Sequence, residues 1–239
     1  MRRGLLVAGL LAAFAATAAD DPEKKTLTYD VIGLEGKLLR EVEPKPERLE
    51  IGDQAHSGDR LRTKSSSQAD LEVVSHAALF RLGSGTRCTL AHDRPGLLLH
   101  VEKGHLRAIF GAFSGEDARL VTTPSAVLAV RGTQYGLQVE KDGDTRLVVF
   151  QGVVDVIDPT GVHPPVRVES GQQTRIKVDK PPKTPSEHRI SPRDWDLGRG
   201  GSIPGAAGSG FNSGSQGGAT GSPGPGSQGA GSGSKRRGG

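Results

Sequence analysis

Only one cysteine, Cys88, occurs in the 239 residues. No internal disulfide can form, so a fold here must be held by an apolar core and not by covalent staples. Aromatic residues make up 4% of the chain, with a single Trp, which removes the stacking platforms that single-stranded nucleic acid needs. The formal net charge of +4 does not restore such a partner. Arg2 and Arg3 stand near the start and Arg199, Lys235, Arg236 and Arg237 near the end, and the body between them has slightly more acids than bases. No nucleic-acid partner is expected, because a basic groove needs its excess in the folded part. The histidines, His56, His76, His92, His100, His105, His163 and His188, form no H-x-x-x-H or H-E-x-x-H pattern, and one Cys forbids C-x-x-C. Neither a metal nor another cofactor is expected. His92-Asp93 has no companion ligands, and Asp142-Gly143-Asp144 has no Glu at the twelfth position of a calcium loop. The chain reads as non-enzymatic.

What is present begins with a leader. Met1, Arg2 and Arg3 precede an apolar stretch over residues 4–15, and Ala16, Thr17, Ala18 and Ala19 follow. This is the pattern of a secretory signal peptide cleaved between Ala18 and Ala19. The apolar part is shorter than the roughly 20 residues of a spanning helix. Residues 1–18 are therefore expected to be removed on export, leaving a periplasmic or secreted protein with no transmembrane segment.

Composition divides the rest. Residues 19–29 read as a polar spacer, 30–178 as a β domain, 179–197 as a Pro-rich linker, and 198–239 as a disordered tail. The tail holds 17 Gly and 8 Ser, too little apolar surface to offset the entropy of ordering it. Within the domain, short runs such as "ADLEVV", "AALFRL", "GLLLHV", "HLRAIF", "AVLAV", "QYGLQV", "TRLVVF" and "VVDVI" are rich in Val, Leu, Ile and Phe and bounded by turn residues. No helical apolar period is sustained. Asp142 and Gly143 predict a hairpin turn, and Gly104, Gly152 and Gly171 stand at corners between short strands. The expected fold class is all-β, with short strands in a β-solenoid-like or bent sandwich arrangement.

Three blocks then carry a resemblance. "GDRLRT" at residues 58–63, "TPSAVLAVRGT" at 123–133 and "GVVDV" at 152–156 are similar, in order, to the core blocks of the FecR domain family. The signature residues on this reading are Thr123, Pro124, Val130, Arg131, Gly132, Thr133 and Gly152. One corner departs from the family's usual Asp-Gly: this chain has Ser75 and His76. Founding members of the family hold a sigma factor in the cytosol and receive a signal in the periplasm. Only Met1, Arg2 and Arg3 precede the hydrophobic segment, so the resemblance is expected to extend to the extracytoplasmic module and not to sigma-factor binding or receptor contact.

Arg131-Gly132-Thr133 interrupts an apolar run, and two roles fit it. Gly132 can bend the strand while the five donors of Arg131 cap nearby carbonyls and Thr133 adds a hydroxyl; alternatively Arg131 presents its fork to an anionic partner. The apolar flanks favour the first, so Arg131→Ala is expected to destabilise by about 3–5 kcal/mol, as when a buried charge pair is broken. In sum the sequence predicts an exported interaction or sensing module of the bacterial cell envelope, its partner a protein or an envelope polymer. The alternative is a structural envelope component that uses its basic-ended Gly/Ser tail as a tether.

Overall fold

The computed structural model describes residues 26–91, 95–111 and 119–198. The leader with Ala18 and Ala19, His92-Asp93, and the tail beyond Gly198 lie outside the described residues. The strands are β1 (Thr28–Glu35), β2 (Leu38–Arg40), β3 (Glu47–Leu49), β4 (Gln54–His56), β5 (Arg60–Thr63), β6 (Gln68–Val73), β7 (Ala78–Leu82), β8 (Arg87–Leu90), β9 (Leu97–Phe110), β10 (Arg119–Thr122), β11 (Val127–Val139), β12 (Thr145–Ile157), β13 (Val166–Glu169), β14 (Gln172–Ile176) and β15 (Ser186–Glu187); one short helix, α1 (Pro192–Asp196), follows.

All fifteen strands join one open mixed sheet, and this sheet is bent double. The first halves of β9 and β11 and the second half of β12 lie in one layer, in the order β3-β2-β5-β8-β9-β10-β11-β12-β13. Their other halves lie in the second layer, in the order β4-β1-β6-β7-β9-β11-β12-β14-β15. Every pairing is antiparallel except β9 with β10. The fold line runs through Gly104, Gly132 and Gly152, whose φ angles are 111°, 60° and 82°. Close approach makes two of these glycines necessary. A Cβ on Gly104 would lie 2.4 Å from Thr86 Cα, and one on Gly152 would lie 2.7 Å from Gly132 O.

The all-β class is as expected, and of the two arrangements the bent sandwich is the one observed. Three pairs of the short runs are single strands of 13 or 14 residues, β9, β11 and β12, that cross the fold line. Gly104 and Gly152, read as corners between strands, are bends within them, because a bulge re-aims a strand without ending its ladder, whereas Gly171 does turn the chain from β13 into β14. Alternation is clean on either side: β6 and β7 bury every second residue. The inward residues of both layers, among them Leu61, Leu99, Val121 and Val156 of the first and Tyr29, Phe80, Leu137 and Val149 of the second, form one apolar core.

Two boundaries differ from the sequence reading, and the corner that departs from Asp-Gly takes a defined form. Tyr29, placed in the polar spacer, is fully buried in β1. The Ser75-His76 corner is a 3-10 turn over Val74–His76, closed by Ala77 in the left-handed region at φ 46°. The segment 179–197 is no extended linker, since β15 pairs with β14 and α1 buries Trp195 to 1% exposure. Among the described residues no helix is long and apolar enough to cross a membrane.

Candidate functional site

The signature residues gather at two places. At the fold line, the Thr133 hydroxyl, 1% exposed, accepts from Arg131 N at 3.3 Å and lies within donating distance of Arg131 O at 3.1 Å and Val153 O at 2.9 Å. The ladder between β11 and β12 slips between Arg131 and Gln134, and Thr133 serves the groups this slip leaves over. Val130 is buried beside it. Arg131 itself is exposed, and its side chain makes no hydrogen bond or ion pair among the described residues. The expectation that its guanidinium braces the bend is thus corrected: a short hydroxyl on the inner side reaches those carbonyls, while the long side chain leaves for solvent.

At the opposite edge of the layers, Thr123 accepts from Ala126 N at 3.0 Å and from the Thr145 hydroxyl at 2.9 Å, and Ser125 donates to Thr145 at 2.7 Å. These three hydroxyls, all buried, clasp the turn before β11 to the start of β12. Pro124 lies beneath the hairpin that joins β11 and β12, where a Cβ on Gly143 would be 3.0 Å from the proline ring. In that hairpin Glu140 N donates to Asp144 O and Gly143 N to Glu140 O, while Asp142 Oδ1 accepts from Asp144 N. Gly143 alone takes positive φ, at 87°; Asp142 does not. Cys88 is wholly buried, and burial, with Glu102 nearby, pushes its thiol up to about 12, which keeps it protonated and inert. His100 bonds Thr122 at 2.9 Å, and His105 faces a different neighbourhood altogether. No group of three or more His, Cys, Asp or Glu that could hold a metal occurs among the described residues.

That neighbourhood is the outer face of the second layer, and the sequence reading missed it. Register places Asp70, Arg81, Arg107, Gly136, Val148 and Gln173 in one row across six strands. At Gly136 the row has a notch, and the indole of Trp195 fills it so closely that a Cβ there would sit 2.3 Å from Trp195 Cε2. The ring stacks on His105 at 4.4 Å and 13°, meets Phe150 edge-on at 6.2 Å, and donates from Nε1 to Leu106 O at 3.0 Å. The next residue, Asp196, accepts from Arg81 at 2.8 Å and pairs with Arg107 at 3.0 Å. Arg81 is also held by both Asp70 oxygens at 2.8 Å, and these carboxylates raise its already high pKa, Asp70 most strongly. Burial, then the charge of Arg146, lowers His105 to about 4, so its ring is neutral under the indole at neutral pH.

Local sequence explains why this segment turns towards the sheet. Ser191 caps α1 by accepting from Asp194 N at 3.1 Å, and Pro192 takes the first helical position, where its missing N–H costs nothing. The available signal was the single Trp of the chain, set three residues after the proline of a Ser-Pro start.

The described residues thus form a bent, open β-sandwich, with its signature at the fold line and the clasp and with a polar outer face covered by its own C-terminal segment. Residues 59–155, from just before β5 to near the end of β12, match the family model described as FecR protein. Two crystal structures of a "putative anti-sigma factor" from Parabacteroides distasonis ATCC 8503, at 2.50 and 1.65 Å resolution, are similar to this chain at 14% identity with a TM-score of 0.45. The similarity covers 54% of this chain and 59% of that one. No curated protein matches. Strands β1–β4 and the segment bearing Trp195 lie outside the family match.

Proposed function

We propose that the protein is an exported, non-catalytic FecR-type module that recognises a protein partner in the bacterial cell envelope. The observation that carries this reading is the outer face of the second layer, which holds a peptide segment through a ring-shaped notch at Gly136 and a two-guanidinium clamp on a carboxylate. Such a combination of one apolar anchor and one charged, geometrically fixed contact is how protein surfaces select short segments. The FecR match over residues 59–155 agrees with a regulatory rather than a chemical task. Export follows from the leader pattern, with residues 1–18 removed and Ala19 as the mature N-terminus.

In-cell crosslinking of the tagged protein, with sequencing of its mature N-terminus, tests both halves. A mature chain starting at Ala19 and recovered with a defined envelope protein is the expected result. An unprocessed chain in the cytosol, or a processed one crosslinked to nothing but polymer, overturns the proposal.

A further inference from the structure

The notch and clamp described above are filled by the chain itself, yet the filling is lightly held. Between residues 179 and 198 only Pro182 and Trp195 are buried. Strand β15 contributes two pairings, Gln172 with Glu187 and Gln173 with Ser186, and α1 is a little over one turn. Three prolines, Pro181, Pro182 and Pro185, precede this strap, and besides the notch and clamp, lifting it breaks short attachments: the two β15 pairings, the His188 bonds to Gly171 O and Val149 O, and the edge-on contact of His188 with Phe150. The face beneath is itself suited to water. Asp70, Arg81, Arg107 and Gln173 are polar groups that solvent can satisfy, and the apolar cover lost is confined to Gly136, Val148 and the rings of His105 and Phe150.

The face also has capacity that the strap does not use. Among the described residues the buried Arg107 Nε has no hydrogen-bond partner, because the short carboxylate of Asp196 reaches Arg107 at Nη1. Arg81 is shared with Asp70, whereas Asp196 is the one acid paired with Arg107 among the described residues. Without the strap, Arg81 and Arg107 face one carboxylate, so the vacated site would select an acid.

We propose that this face is a docking site for a ring followed directly by a carboxylate, that residues 186–198 occupy it in cis as a releasable strap, and that a partner protein presenting the same indole–carboxylate pair takes it in trans. This rests on the protein-interaction reading above and names the chemistry of the partner. Tethering keeps the strap at high effective concentration, so a competitor meets an apparent affinity reduced by the fraction of chains that are open. The strap is then a threshold: it excludes weak or wrongly shaped segments and yields to one that also satisfies Arg107 Nε.

The test uses the full chain and a fluorescently labelled peptide with the sequence of residues 189–198, read by anisotropy. Trp195→Ala empties the notch, and the peptide should bind this variant at least about tenfold more tightly than it binds the unaltered chain. Adding Arg107→Ala or Gly136→Val to Trp195→Ala should abolish that binding, as should Asp196→Asn in the peptide. A second measurement needs no variant. Trp195 is the only Trp, so an excess of peptide carrying naphthylalanine in place of its Trp should shift the chain's indole emission to the red. Equal affinity for the two chains, or an emission that stays fixed at saturating peptide, overturns the proposal. Neither result touches the crosslinking test, so the strap can fail while the interaction module stands.

Discussion

At Arg131-Gly132-Thr133 two neighbouring side chains exchange the roles that their chemistry suggests. The residue with five donors is exposed, and the one with a single hydroxyl satisfies the bend. Removing the guanidinium should therefore cost little: Arg131→Ala is expected to stay within about 0.5 kcal/mol of the parent, as other surface substitutions do. Thr133→Val keeps the shape and deletes the hydroxyl, leaving Val153 O and Arg131 N short of a partner inside the fold. It should cost about 1–3 kcal/mol. Paired urea melts decide the matter, and an Arg131→Ala loss larger than that of Thr133→Val would return the bracing role to the guanidinium. The triplet was legible as a bend, because glycine takes the left-handed φ found at 132 with the least strain. Which donor reaches inward was not legible, since side-chain direction depends on a register slip that no local pattern announces.

Elements were legible where alternation governs and obscure where length is set by the partner strand. Runs such as "AALFRL" coincide with β7 because every second residue meets the core. The unity of β9, β11 and β12 could not be read, because a glycine inside a strand and a glycine between strands leave the same mark. The strap was hidden for a different reason: prolines suggest an open linker, while one buried ring outweighs them. Its docking depends on His105 staying neutral. This ring sits under Trp195, where burial first and then the charge of Arg146 on β12 lower its pKa to about 4, and Arg107, Arg81 and Asp196 line the same hollow. A depressed histidine pKa means that the unfolded chain takes up a proton which the docked one refuses. The stabilisation is then complete above the ordinary value near 6.5 and is lost as pH falls towards about 4. Urea midpoints followed by Trp195 emission between about pH 7 and 4.5 should fall for the parent and fall less for His105→Gln, in which Asp70 and Asp196 still titrate. Parallel curves for the two proteins would remove His105 from the account.

For the whole molecule, the sharing of strands decides how it comes apart. Two layers joined only by loops could open separately, but here β9, β11 and β12 pass through both, and the inward side chains of both form one core. Opening one layer tears the ladders of the other at Gly104, Gly132 and Gly152, and it exposes the Thr123, Ser125 and Thr145 clasp. The two layers should therefore unfold as a single cooperative unit, with the strap as a separate one of lower free energy. Native-state hydrogen exchange in low urea distinguishes these cases residue by residue. Amides of Leu99 in the first layer and of Leu137 and Val149 in the second should share one large denaturant dependence and converge on the global stability. Amides of Trp195 and Leu197, which donate within the short helix to Ser191 O and Arg193 O at 3.0 and 3.1 Å, should exchange much faster and with a small dependence, since lifting the strap exposes little surface. If Leu99 and Leu137 followed different isotherms, the fold line would be a hinge between two domains. If Trp195 tracked them both, the strap would be part of the core fold and could not be released under native conditions.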